Sequence, residues 1–376
     1  MDPITQRNND DAWQRAQSLA SSGGTAPAAT PQTGSTTTAR PAARAVDLQP
    51  PLVATGDPIP KRFLEAAAAP TPLGLQRDAR DVETQRRLDS FFAMAAAPYR
   101  TPDGGSVSVT PPFKMGAGYP DEKKTTQAHA GDLAAAAARA HIDGDTLSRI
   151  EMSRGTPAEV HALTQALLDR QPRGTPMSAA DVRKLMFDCG VGIDCAGYAQ
   201  SAYLYATGQT RGQAGLRSPV VEDLSNLAGR GYQRVSLADL RPGDLVVLGP
   251  QHPKDPRDVG HRVIVYDAHV ATPGDMRHLL WANVAADAGV GHREPVLDSP
   301  QSRFAVGGPI RVLEVDASWG SDGDPQVGGV QRQTWFHNEG TGEWAAEVKD
   351  QAGHAGFYVF DEPYGHPLDG FYRKGS

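Results

Sequence analysis

Hydrophobic positions recur at helical spacing through the middle of the chain and change to strand-like runs in its last third. A Thr-Pro-Ala-Glu sequence at 156–159 combines a capping box with proline at the first helical position, and apolar residues follow it at helical spacing. A second start of this kind lies at Ser178, and a third helix follows Cys195 and ends at Gly208. The pattern therefore predicts three consecutive helices between about 156 and 208.

Beyond residue 235 the chain consists of short runs rich in β-branched and aromatic residues, separated by Gly, Pro and Asp. These runs are GDLVVL, HRVIVYD, IRVLEVDAS, VQRQTWF and GFYVF. The segment FHNEGTGEW reads as the hairpin loop between two of them. Helices followed by a run of antiparallel strands predict an α+β fold.

Composition divides the chain into three parts. Residues 1–60 contain one aromatic residue, Trp13, and are too rich in small and polar residues to bury a core, so we expect a disordered tail. Residues 61–150 are alanine-rich and predict a helical extension, with a loop over 99–122. Residues 151–376 then form the main domain.

Charge and hydropathy narrow the function classes. The net charge is −7 and the basic residues are scattered, which argues against a nucleic-acid-binding surface. No run approaches the ~20 apolar residues of a membrane span, and the first residues lack the pattern of a signal peptide. We expect export by a signal-peptide-independent route, because the tail resembles the leader of an effector injected by a type III-like machine. A cytoplasmic location is the alternative.

Cys195 is the candidate nucleophile. A helix start favours a thiolate through its unpaired N–H groups, and the small residues around Cys195 leave room for a substrate. The alternative is a small buried core residue, which is the expectation for Cys189. Zinc binding is disfavoured because the ligand number and spacing do not fit, and a Cys189–Cys195 disulfide would silence the nucleophile.

His261 is the candidate base, because it follows a glycine at the first position of a strand. The residue that orients its imidazole is expected on a neighbouring strand. Asp316 is favoured, since Ile310, Val312, Glu314 and Asp316 share one strand face and Asp316 lies at its polar end; Asn283 is held in reserve. Turn capping is the alternative role of Asp316.

Three motifs resemble one known family. DCAGYAQ resembles the Asp-Cys-Ser-Gly signature of NlpC-type papain-like cysteine peptidases, LRPGDLVVL resembles their Pro-Gly-Asp-Leu strand, and GHRVIVY resembles their Gly-His-Val-Gly-Ile-Tyr strand. The resemblance covers about residues 180–320 and implies a papain-like fold with Cys195 as nucleophile and His261 as base. Two departures are Ala196 in place of serine and Arg262, which intrudes between His261 and Val263.

The resemblance implies a thiol hydrolase that needs no cofactor or metal. Its substrate would be a peptidoglycan peptide or a protein, cleaved at an amide bond through a thioester. A deamidase or acyl-transferase acting on a protein is the first alternative, and a non-catalytic binding module is the second. A buried thiol far from any imidazole would favour the binding module. The Pro242-Gly243-Asp244 turn and the tryptophans Trp319, Trp335 and Trp344 are expected to have structural roles.

Overall fold

The computed structural model describes residues 78–116, 120–216, 227–250, 260–272, 275, 308–320, 325–326, 328–349, 355–360, 362–363 and 366–375. Its α-helices are α1 (Ala79–Ala95), α2 (Pro120–Ala128), α3 (Ala130–Arg139), α4 (Gly144–Glu151), α5 (Pro157–Leu168), α6 (Ala179–Asp188) and α7 (Cys195–Thr207). Its strands are β1 (Pro98–Arg100), β2 (Ser106–Ser108), β3 (Tyr232–Val235), β4 (Leu245–Leu248), β5 (His261–Val270), β6 (Ile310–Gly320), β7 (Gly328–Asn338), β8 (Trp344–Lys349), β9 (Ala355–Phe360) and β10 (Leu368–Lys374).

Eight strands form one antiparallel sheet in the order β3-β10-β4-β5-β6-β7-β8-β9. Four strands separate β10 from β8, yet Phe371 of β10 and Trp344 of β8 have ring centroids 6.4 Å apart. The sheet is therefore strongly curled, as the accumulated twist of many strands favours.

The two faces of the sheet bury different clusters, because side chains alternate along each strand. We call one the helix face, which includes Leu245, Val247 and Ile264 and packs with the helices. We call the other the inner face, which includes Val246, Leu248, Val263, Val315, Ala317, Trp335 and Trp344 and lies inside the curl. The structural role expected for Trp335 and Trp344 is confirmed, since both are buried in this inner cluster.

Helix α7 lies between the sheet and α1. Ten of its residues are buried, and it contacts β5, β6 and α1. Tyr198 of α7 packs on Phe91 of α1 with ring centroids 5.4 Å apart. Leu88 and Phe91 of α1 thus belong to the same core as Val160 of α5, so the helices predicted as an extension share the core of the following domain.

Several predictions of local structure are confirmed. Thr156 and Ser178 form capping boxes at the starts of α5 and α6, and α7 ends at Gly208 in the left-handed conformation. The overall α+β class is confirmed as well. The loop predicted over 99–122 is partly wrong, because β1 and β2 form a hairpin there, closed by the bond from Thr101 N–H to the Gly105 carbonyl.

No helix in the described part of the chain is long and apolar enough to span a membrane. The predicted tail over 1–60, with its proposed leader, lies outside the described residues, and so does Asn283.

Candidate functional site

Helix α7 begins at Cys195, and Asp194 caps it. The Asp194 carboxylate accepts a hydrogen bond of 2.5 Å from the Gly197 N–H, and it forms an ion pair with Arg154 at 3.1 Å. This is the ordinary way to satisfy a helix N-terminus, because a side-chain oxygen replaces the missing intrahelical acceptor. The carboxylate also supplies the negative charge that the helix dipole attracts.

A turn at Ser153 and Arg154 covers the start of α7. Ser153 is fully buried with φ of 58°, and its carbonyl accepts a hydrogen bond of 3.1 Å from Asp194 N–H. A Cβ atom at Gly197 would lie 2.4 Å from the Ser153 carbonyl oxygen, so this close approach requires glycine. Cys195 itself is 7% exposed and belongs to the helix-face core. The thiol lies in a packed environment.

His261 is the first residue of β5 and lies directly opposite Leu248 of β4, on the inner face. Its ring contacts Trp319 at a centroid distance of 3.8 Å and is 5% exposed. Burial holds the pKa of His261 well below its usual value, and the nearby His366 and Arg262 act in the same direction. The Nε2 atom has no hydrogen-bond partner among the described residues.

At the start of β5, Arg262 and not His261 lies on the helix face of the sheet. Ile264 packs in the helix-face cluster and Val263 in the inner cluster, so alternation assigns Arg262 to the helix face and His261 to the inner face. Arg262 Nη1 donates to the carbonyls of Leu248 and His261, 2.8 Å away in each case. A one-residue shift in a strand exchanges its faces. The structure therefore assigns the His261 side chain to the inner face, whereas Cys195 belongs to the core on the helix face.

Asp316 lies on the helix face of β6, opposite Ile264, and is completely buried. Both carboxylate oxygens accept from Arg332, at 2.7 and 3.0 Å. Arg332 also bonds Asp89 at 2.8 Å and stacks on Tyr266 at 3.4 Å. Burial raises the pKa of Asp316 to about 6, while the bonds from Arg332 act in the opposite direction. Asp316 therefore forms an ion pair with Arg332 and lies on the face of the sheet opposite to His261.

Both cysteines are free thiols. Cys189 caps the end of α6, is 4% exposed and packs in the helix-face core, as expected. Burial raises its pKa to about 11, with smaller contributions from Asp132 and Asp188. Within the described ranges no three His, Cys, Asp or Glu side chains are placed to hold a metal ion.

The pairing of β5 with β6 shifts register between Val265 and Asp267, and a second polar cluster follows this irregularity. His269 bonds Asp267 and Asp275, each at 3.1 Å, and these two hydrogen bonds raise its pKa to about 9. The same histidine and Thr272 outweigh the effect of burial on Asp275 and lower its pKa to about 2. This cluster ties the end of β5 to the segment after it.

A cavity of about 450 Å³, which no sequence motif predicts, lies at the C-terminal end of α7. Its lining includes five cationic side chains, Arg80, Arg87, Arg241, Arg373 and Lys374, and three carboxylates, Asp81, Glu83 and Asp244. Asp244 belongs to the predicted Pro-Gly-Asp turn, and Arg373 bonds both of its oxygens at 2.8 and 2.6 Å. The lining comes from segments separated by up to 295 residues, from Arg80 to Gly375, so no local motif predicts the cavity.

Comparisons with protein-family models, with curated proteins and with solved structures find no match to this chain. The resemblance to NlpC-type peptidases therefore rests on the three sequence motifs alone and stays a prediction.

Proposed function

We propose that the described domain has a papain-like arrangement and acts as a ligand-binding module, in which Cys195 packs the start of α7. The papain-like part is supported by the order of the elements. A helix that begins with cysteine packs against an antiparallel sheet, and the Pro-Gly-Asp turn and the histidine strand follow it.

The observation that carries the non-catalytic proposal is the pairing of His261 with Leu248. This pairing directs the imidazole to the inner face, while Cys195 belongs to the core on the other side of the sheet. A thiol nucleophile needs a base within hydrogen-bond reach of its proton. Asp316 is engaged by Arg332 and does not supply the orienting contact.

The decisive experiment measures alkylation of each thiol by iodoacetamide, in the folded chain and in urea. Burial should slow the reaction of Cys195 in the folded chain by at least tenfold relative to the unfolded chain. Cys189→Ala isolates Cys195, and Cys195→Ala isolates Cys189 as a matched buried control. Fast alkylation of Cys195 below pH 6 would reveal a thiolate–imidazolium pair and would overturn the proposal.

A thiol hydrolase is the second candidate function, favoured by the position of Cys195 as the first residue of a well-capped helix. In that case Cys195 would attack an amide carbonyl to form a thioester and release an amine, and water would then release the acid. Peptidoglycan fragments and protein extracts, incubated with wild type and Cys195→Ala, test this by mass spectrometry. Cleavage, deamidation or acyl transfer that depends on Cys195 would establish it in place of the binding module.

A further inference from the structure

Two arginines at the rim of the 450 Å³ cavity carry guanidinium groups that are bonded to no acceptor of the described protein residues. The side chains of Arg80 and Arg241 are exposed, and within the described residues neither donates a hydrogen bond to a protein acceptor. The other cations of the lining are engaged. Arg87 bonds Glu83, Arg373 bonds Asp244, and Lys374 bonds the carbonyl of Arg230.

The cavity lining is cationic although the whole chain is anionic. Five cations face three carboxylates there, whereas the chain has a net charge of −7. Burial raises the pKa of the third carboxyl, Asp81, and Arg241 and Arg373 lie close enough to act in the opposite direction. Glu83 and Asp244 each accept hydrogen bonds from an arginine of the wall, and the lining as a whole keeps an excess of two positive charges, to which the guanidinium groups of Arg80 and Arg241 contribute.

The wall behind these arginines is rigid. The Asp244–Arg373 pair is bidentate, and Arg373 also donates to the Asp239 carbonyl at 2.5 Å, which fixes the turn to the end of β10. Gly243 has φ of 91° and donates its N–H to the Val265 carbonyl at 2.8 Å. Fixed walls reduce the ordering cost of binding.

We propose that this cavity binds a small ligand with an oxyanion group, which Arg80 and Arg241 grip with their guanidinium forks. Planar guanidinium groups match the oxygens of phosphate and carboxylate in bidentate pairs. A volume of about 450 Å³ lies in the range of small-molecule sites. Tyr203 and Gln233 line the same space and offer the remainder of the ligand an aromatic wall and an amide.

The site is separate from the candidate thiol. Cys195 begins α7, whereas Ala206 and Thr207 at its other end line the cavity, about 18 Å away along the helix axis. The inference rests on the proposed binding function, but it does not use Cys195. Oxyanion binding and thiol chemistry are therefore tested by separate measurements.

Calorimetric titration of the full chain tests the proposal, with inorganic phosphate, succinate and neutral glycerol as probes at constant ionic strength. We expect saturable binding of at least one of the two oxyanions and none of glycerol. Binding of phosphate alone would assign a phosphate-bearing ligand, and binding of succinate alone a dicarboxylate. The double variant Arg80→Ala/Arg241→Ala should bind at least tenfold more weakly.

Arg100→Ala is the matched control, because Arg100 is an exposed arginine of β1 outside the cavity lining. Arg241→Lys keeps the charge but loses the fork, so it should lie between wild type and the double variant. Equal affinity in wild type and the double variant, or no saturable binding, would overturn the site. Either result would leave the binding module intact, whereas Cys195-dependent hydrolysis would overturn the module and leave the oxyanion site standing.

Discussion

The ion pair of Asp316 with Arg332 yields the most quantitative prediction. Arg332→Met removes both bonds to a carboxylate that has no solvent exposure. Loss of one partner of a buried pair costs about 3–5 kcal/mol, because the remaining charge stays buried without compensation. The Arg332 side chain is 26% exposed, so we expect a loss near the lower end, about 3 kcal/mol in free energy of unfolding.

The loss should depend on pH. Burial raises the pKa of Asp316 to about 6 in the folded chain, above the usual 3.8, so its ionisation opposes folding as the pH rises through this interval. Removal of Arg332 raises that pKa further. Arg332→Met should therefore lower the free energy of unfolding more at pH 8 than at pH 5. At pH 5 the Asp316 carboxyl is protonated, so no uncompensated charge is buried.

Urea unfolding followed by circular dichroism at both pH values measures these changes for Arg332→Met, Asp316→Asn and the double variant. The coupling energy of this cycle should be about 1.5 kcal/mol or more. A loss below about 1 kcal/mol, as for surface pairs, would refute the reasoning. Additive effects, or equal losses at the two pH values, would refute it as well.

Three further predictions concern other parts of the chain. Gly197→Ala should destabilise the fold by about 1–3 kcal/mol, because its Cβ would lie 2.4 Å from the Ser153 carbonyl, whereas Gly212→Ala, where a Cβ meets nothing within 4 Å, should be close to neutral in thermal unfolding. Folding raises the pKa of His269 from its usual 6.5 to about 9, so protonation of His269 stabilises the fold. This stabilisation is complete below pH 6.5 and is lost as the pH rises through 9. His269→Asn should therefore lower the free energy of unfolding near pH 6 and have no such effect near pH 10. A reporter fused to residues 1–60 should leave secretion-competent cells, and its retention would contradict the predicted leader.

Local rules predicted the elements well where short-range chemistry decides them. The capping boxes at Thr156 and Ser178 fix helix starts through bonds three residues apart, and Gly208 ends α7 because glycine adopts the left-handed conformation readily. The hairpin of β1 and β2 was missed, because its strands are three residues long and lie among turn residues. Periodicity is not readable over so short a run.

The faces of the strands were harder to predict. Alternation divides the side chains of a strand between two faces, but it does not tell which face packs against the helices. Ile310, Val312, Glu314 and Asp316 do share a face, because β6 pairs with β7 along its whole length without a register shift and its side chains therefore alternate regularly. By the same alternation the His261 side chain could lie on either face, and its pairing with Leu248 places it on the inner face. Arg262, noted in the sequence only as an intrusion in a motif, takes the helix face instead.

The α+β class, the helix starts and the positions of the main strands could be predicted from residue patterns, because these features depend on neighbours within a few residues. The pairing of Asp316 with Arg332 and the contact of His261 with Trp319 could not be predicted in this way, since each contact joins strands whose register depends on the whole curled sheet. The arginine-lined cavity has the same origin: Arg80, Arg241 and Arg373 meet because α1, the Pro-Gly-Asp turn and β10 pack around the end of α7. Contacts between distant segments carry no local sequence pattern.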